Sequence, residues 1–393
     1  MGCLVALLSY LLWEKISLDM CRRRAALRIA VAGTRGKSTV VRLIAAGLRG
    51  SGRRVVARTT GSRPAVILPD GSEREMVRQG PPSLLEGKAL LHLARKLRAD
   101  TLVVELMSIN PEYLAAEAGR LFKPAILAMT NVRLDHMDVM GRTKEEIARC
   151  LSAAIPPRST VFVPEGECQP VFENKARDVR ARLVKVRPLP DGRGSSRPKA
   201  GRLFDFAENT DLALAVTQAC GARRTAARRA MAESRPDLGV VRAWKIRIGR
   251  TPRVWTCVSA FAANEPESTS AILAKLKKAG FLKATPRLAL LNLREDRPDR
   301  TRQWLAALGQ GYFKDFEGVI LSGATRALAR RLSKVRPGNG PWLSVIPGRD
   351  AEEVMDKLLG DEKRGGLLVG VGNFGGLGRS LVELWERRGE ACD

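Results

Sequence analysis

"RIAVAGTRGKSTVVRLI", residues 28–44, decides the fold. "RIAVAG" is an apolar, β-prone run that stops at glycine. "STVVRLIAAGLRGSG" (38–52) repeats apolar residues at helical spacing and ends in glycines, so the whole reads as strand, tight turn and helix. Gly33 and Gly36 permit a sharp bend and the close approach of backbone N–H groups to an anion, while the following helix offers its N-terminus and dipole. Lys37 supplies positive charge to the outer phosphates of a nucleotide, and Ser38 or Thr39 a hydroxyl to Mg2+. The longer pattern G-x-x-x-x-G-K-[ST] is not met, because Val31 stands at its first glycine. What stands here is G-T-R-G-K-S-T: Gly33, Thr34, Arg35, Gly36, Lys37, Ser38 and Thr39. Lys-Ser-Thr in register between a strand and a helix separates it from a generic glycine-rich turn.

Outward from this stretch the pattern repeats. "RRVVARTTG" (53–61), "DTLVVEL" (100–106) and "PAILAMTNV" (124–132) read as strands, with helical runs at 83–97 and 110–122 between them. Strands separated by helices predict a mostly parallel sheet covered on both faces. A second α/β run follows, with strands at 287–293, 317–323 and 366–372 and helices at 268–280, 301–311, 324–335 and 379–388. The expected organisation is an N-terminal segment 1–24, a phosphate-turn domain 25–249 and a smaller Rossmann-like α/β domain 250–393. "RPLPDGRGSSRPKAGR" (187–202) marks 165–202 as an exposed loop.

In an open parallel sheet, ligands gather at the carboxyl ends of strands. "LVVELMSIN" sets Glu105 at such an end, and "AMTNVRLDHMDVMG" sets Asp135, His136 and Asp138 just past another. Glu105 and His136 are therefore expected to converge on metal-bound phosphates. Each alone reads as well as a salt-bridge partner or a loop histidine.

Composition narrows the class. The 393 residues carry a formal charge of +27, which suits a polyanionic partner or reflects basic drift along the chain. Aromatic residues are 5% of the chain, few platforms for stacking bases, so nucleic acid is not the expected partner. Seven cysteines with no Cys-x-x-Cys argue against a disulfide framework or zinc site and suit a reducing cytosol. Only His92 and His136 are available as histidine ligands. The apolar run Cys3–Trp13 spans 11 residues, too short to cross a bilayer of about 30 Å. Two readings stay open: an interfacial helix with Trp13 and Arg22, Arg23 and Arg24 at the headgroups, which is favoured, or a buried helix.

G-T-R-G-K-S-T, then E-L-M-S, then T-N-V-R-L-D-H-M-D resembles the Mur ligase superfamily of ATP-dependent amide-forming enzymes. "TRGKSTVVRLI", "RTTGSRP", "NVRLDHMDVMG", "FAENTDLALAV" and "AFAANEPEST" look closest to the ligase subunit of poly-γ-glutamate synthase, the capsule-type polyglutamate synthetase. The resemblance runs in order from about residue 28 to 378 and is weak at 165–202. It implies a Mur ligase central-domain fold. It also implies a reaction in which ATP phosphorylates a carboxylate to an acyl phosphate that an amino group then attacks. Phosphorylation supplies the leaving group that a carboxylate lacks, while Mg2+ and lysine spread the charge that builds in transfer.

Carried over residue by residue, the resemblance assigns the phosphates to Lys37 and Mg2+ to Ser38, Glu105 and His136. It places Asn131 near the transferring phosphate and Asn209 near the adenine. Asn264, Arg294, Arg297, Arg300 and Arg302 become candidates to meet glutamate or phosphate, although a solvated loop accounts for the arginines equally well. It further implies glutamate and a growing polyglutamate chain as substrates, and membrane synthase or export subunits as partners. Oligomerisation and a place at the inner face of the plasma membrane complete the expectation. Two features depart from the superfamily: the lysine that many members carbamylate falls near Leu151, and the second asparagine of the adenine motif is Leu212. Gly370, Gly372 and Gly375 form G-x-G-x-x-G, but the chain has no room after them for a dinucleotide unit, so they read as a tight turn at a domain interface. Other readings remain: a different amide ligase of the superfamily acting on a folate or peptidoglycan precursor, or a P-loop ATPase that binds polyanions.

Overall fold

A computed structural model describes residues 2–61, 64–78, 80–189, 207–234, 240–248, 253–261, 263–293, 298–323, 340–346, 350–359 and 365–392. The chain divides into two compact units, Met1–Ser196 with Phe206–Asp237, and Leu238–Asp393 with Arg197–Asp205.

The first unit is built on strands β1 (Leu27–Ala32), β2 (Val55–Thr59), β3 (Ala65–Ile67), β4 (Glu73–Glu75), β5 (Thr101–Glu105), β6 (Ile126–Met129), β7 (Thr160–Pro164) and β8 (Arg182–Val186). They form one 8-stranded sheet in the order β4-β3-β2-β5-β1-β6-β7-β8. From β2 to β8 every neighbouring pair is parallel, and only β3 is reversed, pairing antiparallel with both β2 and β4 at the edge. Its helices are α1 (Gly2–Arg24), α2 (Lys37–Arg49), α3 (Leu85–Lys96), α4 (Pro111–Ala115), α5 (Lys144–Ser152), α6 (Pro170–Asp178), α7 (Ala207–Ala219) and α8 (Arg224–Glu233). Helix α4 continues as a π-helical stretch, Ala116–Phe122. The doubly covered parallel sheet explains why β6 and the centre of β5 (Leu102–Val104) read as apolar runs, with every residue of both strands buried. Helix α2 buries Val40, Val41, Ile44 and Leu48 completely on this sheet, each stabilising by roughly 1.5–3 kcal/mol.

The second unit has strands β9 (Arg242–Ile248), β10 (Arg253–Ser259), β11 (Arg287–Asn292), β12 (Gly318–Ser322), β13 (Trp342–Val345), β14 (Leu367–Gly372) and β15 (Glu390–Ala391). They form a 7-stranded sheet, β13-β12-β11-β14-β10-β9-β15, parallel from β13 to β10. Its helices are α9 (Pro266–Lys278), α10 (Pro298–Gly309), α11 (Ala351–Leu359) and α12 (Leu377–Arg388). Two α/β units with mostly parallel mixed sheets are the predicted fold class.

Two details depart from the sequence reading, the boundary near residue 250 and the loop at 165–202. β9 pairs antiparallel with β10, so the second unit takes in residues ahead of 250. The 165–202 segment is only partly loop, because α6 and β8 lie within it and β8 extends the first sheet beside β7. The predicted helix at 324–335 falls outside the described residues. Finally, α1 is not a buried helix: from Leu4 to Ile16 its large apolar side chains are about half exposed on all sides, for example Leu7 at 53% and Trp13 at 63%. Its final turns dock, and one turn earlier Glu14 accepts from Lys88 on α3. Leu18 and Cys21 are buried, and Arg22 pairs with Asp19 and donates to the carbonyls of Leu121 and Arg120. Arg22 is thus an internal clamp rather than a headgroup ligand, while Arg23 and Arg24 are exposed. Among the described residues no helix is long and apolar enough to cross a membrane.

Candidate active site

The carboxyl ends of four neighbouring strands, β2, β5, β1 and β6, bring the first-unit candidates to one edge. The turn leaving β1 needs glycine twice. Gly33 (φ +125°) and Gly36 (φ +77°) both lie where a side chain is strained. A Cβ on Gly33 would come within 2.1 Å of Thr130 Oγ1, and one on Gly36 within 2.8 Å of Asn209 Oδ1. Asn209, on α7, therefore has its amide against the turn.

The residues after β6 hold this turn. Thr34 Oγ1 and the Arg35 N–H donate to Asn131 Oδ1 at 2.8 and 3.0 Å, and Asn131 Nδ2 donates to the Arg35 carbonyl at 3.2 Å. The Thr34 N–H donates to the Asn131 carbonyl at 3.1 Å, and the Arg133 N–H to Thr34 Oγ1 at 2.9 Å. The resemblance implied that Asn131 lies beside a phosphate; in the structure both ends of its amide engage the turn itself.

Lys37 is half-buried and reaches back across the turn, its Nζ donating to the Gly33 carbonyl at 2.8 Å. Ser38 Oγ donates to Glu105 Oε2 at 2.6 Å, and the Thr60 N–H donates to the same oxygen at 2.8 Å. Thr39 sits beside them on the first turn of α2. Arg35 pairs with Asp135 at 3.4 Å, and Asp135 Oδ1 accepts the N–H of His136 at 3.0 Å. His136 has a positive φ of 47°, uncommon outside glycine, and its Nε2 lies 3.9 Å from Asp135 Oδ2. Behind the turn, burial pushes the Asp211 carboxyl on α7 above its ordinary range, although it accepts the Leu189 N–H.

This edge can take an anion at the N-terminus of α2. Ser38 and Glu105 offer hard oxygen donors of the kind Mg2+ or Mn2+ accepts alongside water and phosphate oxygens. Among the described residues no three His, Cys, Asp or Glu side chains gather into a metal cage. The donor set therefore fits a cation that arrives with a phosphate-bearing ligand and completes its shell from it.

In the second unit, Arg300 is buried and its Nη1 donates to Asn373 Oδ1 at 3.2 Å. Asn264 precedes α9 and its carbonyl accepts the indole N–H of Trp304 at 3.2 Å. Arg302 is exposed on α10, whereas Arg294 and Arg297 lie outside the described residues. Gly370 and Gly372 are required by packing inside this unit, since a Cβ would meet Phe261 Cζ at 2.2 Å and the Asn292 carbonyl at 2.4 Å.

The sequence reading missed Arg58, the Thr60 amide and Glu117. Arg58 carried a signal: a charge in a strand buried on both faces must find a carboxylate, and it pairs with Glu117 at 3.0 Å with both side chains 0% exposed. The Thr60 amide had none, because a main-chain donor leaves no mark in a side-chain pattern.

A phosphate turn opening a central helix, with a hydroxyl–carboxylate pair beside it on a Mur-type sheet, defines an ATP-dependent amide ligase of the Mur and folylpolyglutamate type. Residues 31–156 match the Mur ligase middle domain, and residues 246–388 match the poly-gamma-glutamate synthase CapB C-terminal domain. The chain is 30% identical to the capsule biosynthesis protein CapB of Bacillus anthracis over 389 residues, 97% of this chain and 81% of that one. It is 29% identical to the PGA synthase CapB of Bacillus subtilis (strain 168), over 91% of this chain and 89% of that one. It belongs to the CapB family of poly-γ-glutamate synthases. Its fold is shared by E. coli FolC in complex with ADP, at TM-score 0.64 and 18% identity, covering 98% of both chains. The folylpolyglutamate synthase/dihydrofolate synthase of Yersinia pestis, complexed with AMPPNP and Mn, matches at TM-score 0.65 and 16% identity, over 94% of this chain and 92% of that one.

Proposed function

We propose that this CapB-type ligase joins glutamate units into poly-γ-glutamate, with ATP and Mg2+ as cofactors. One observation carries the reading: an intact phosphate turn, with Ser38 bonded to Glu105, in a chain that matches a capsule CapB over 97% of its length. Bound Mg2+ supplies charge neutralisation at the phosphates. Lys37 leaves the Gly33 carbonyl for the outer phosphates, Ser38, Glu105 and His136 hold the cation, and Asn209 flanks the nucleotide. Asn131 keeps the turn in shape by the bonds described above, and so acts as a positioning residue. Asn264 and Arg300, with Arg294 and Arg297, are assigned to the incoming glutamate or the acyl phosphate. The growing product is a polyanion, which a chain of formal charge +27 retains.

The apolar α1 fits attachment at the inner face of the plasma membrane, among export and synthase subunits or further copies of this chain. Purified protein, alone and with membranes of its host, tests the reading. Phosphate release from ATP should require glutamate, and mass analysis of labelled product should show added glutamate residues. Turnover that ignores glutamate, or none with it in either setting, overturns it.

A further inference from the structure

Directly beneath Glu105 lies a buried ion pair that none of the roles above uses. Arg58, near the end of β2, is wholly enclosed, and so is Glu117 at the start of the π-helical stretch. Arg58 Nη2 donates to the Glu105 carbonyl at 3.1 Å and to Glu117 Oε1 at 3.0 Å. Glu117 Oε2 in turn accepts the N–H groups of Met107 and Ser108 at 3.1 and 3.0 Å. The pair thus grips the main chain at residue 105 and again two and three residues later. Two residues past Arg58, on the same β2 end, the Thr60 N–H holds the Glu105 carboxylate itself.

Stability alone gives no reason for this arrangement. The Nε and Nη1 atoms of Arg58 are buried with no hydrogen-bond partner, and its guanidinium lies 5.3 Å from the Phe122 ring centroid. Desolvating two charges is costly, and a well-packed apolar pair of similar volume is often as stable or more so. What an apolar pair cannot supply is three hydrogen bonds to the backbone at Glu105 and just after it. A π-helical irregularity is also frequent at functional sites, and here it carries Glu117 to the backbone that follows Glu105.

We propose that Arg58 and Glu117 are positioning residues. They fix the backbone at 105–108 so that the Glu105 carboxylate meets the divalent cation of the nucleotide in one orientation. The proposal rests on Glu105 being a ligand of that cation, and the experiment separates the two. Mn2+ affinity is measured by the paramagnetic resonance of free Mn2+ at saturating AMPPNP. AMPPNP affinity in EDTA and the melting temperature are measured alongside.

The double variant Arg58→Met/Glu117→Leu should melt within a few degrees of the parent and bind metal-free AMPPNP equally well. Its Mn2+ affinity should be about tenfold weaker, as when groups that orient a ligand are lost. Glu117→Gln, which keeps the shape, should weaken Mn2+ by a smaller factor, and it decides the matter if the double variant does not fold. Unchanged Mn2+ affinity in these variants, with a loss in Glu105→Ala, overturns the positioning role and leaves Glu105 a ligand. Unchanged affinity in Glu105→Ala overturns the ligand reading and the proposal with it.

Discussion

Asn131→Ala tests how the phosphate turn is held. The side chain makes three bonds to the turn, from Thr34 Oγ1 and the Arg35 N–H and to the Arg35 carbonyl. At about 0.5–1.5 kcal/mol each, their loss has a ceiling near 4.5 kcal/mol. Arg35 is half-buried, so water can replace part of the loss, and about 1–2 kcal/mol is expected, or roughly 5- to 30-fold in affinity for ADP. Calorimetric titration with ADP measures the affinity, and amide exchange over residues 33–37 measures the turn directly. Both should move together in Asn131→Ala, with faster exchange and weaker binding. Asn131→Asp keeps an acceptor for Thr34 and Arg35 but brings a negative charge toward the phosphates. It should retain exchange protection and still bind ADP poorly. If Asn131→Ala leaves both exchange and ADP affinity at parental values, the side chain does not hold the turn and the reasoning fails.

Lys37→Ala should abolish ATP turnover, by about a hundredfold to a thousandfold or more. It removes one half-exposed bond, to Gly33, so stability should fall by less than about 1 kcal/mol, checked by denaturant titration. Gly33→Ala should destabilise by about 2–4 kcal/mol, combining backbone strain with the Thr130 clash, and a parental midpoint in the same titration would contradict the cradle geometry. Asp211→Asn should stabilise at pH 7, by roughly 1–3 °C in melting temperature, because burial disfavours the ionised carboxylate in the fold. Its folded pKa lies above the unfolded value, so this advantage should fade as pH falls through the folded pKa and vanish below the unfolded value of 3.8, where the carboxyl is neutral in both states. Removing residues 2–16 should abolish co-sedimentation with vesicles and lower the melting temperature by no more than a few degrees, since the docked turn from Ser17 to Arg22 remains and only the partly exposed Glu14–Lys88 pair is lost.

The alternation of strand and helix was legible because a covered parallel sheet demands apolar runs, and β1, α2, β5 and β6 have nearly the predicted bounds. That Lys37, Ser38 and Glu105 share one sheet edge was legible because a turn leaving such a strand sits at its carboxyl end. β3 and β4 were not, since three-residue edge strands carry too little periodicity to register. β8 was hidden by its half-exposed, basic edge sequence, "RLVKV". Asn131 was found by resemblance, yet its bonds to the turn could not be read from spacing, because they join residues 96 and 97 positions apart.

The first helix has one more consequence. Its outer turns carry apolar side chains around the whole circumference, so no flat surface can dry them all at once. Lying along a bilayer would leave one flank wet; plunging in tip first, or being ringed by other helices, would not. At about 1.5 Å per residue, the stretch from Gly2 to Ile16 is roughly 22 Å long, less than the about 30 Å of a bilayer's hydrocarbon core. Held that way, the ligase would hang from a single stake, free to swivel over the membrane instead of being pressed against it.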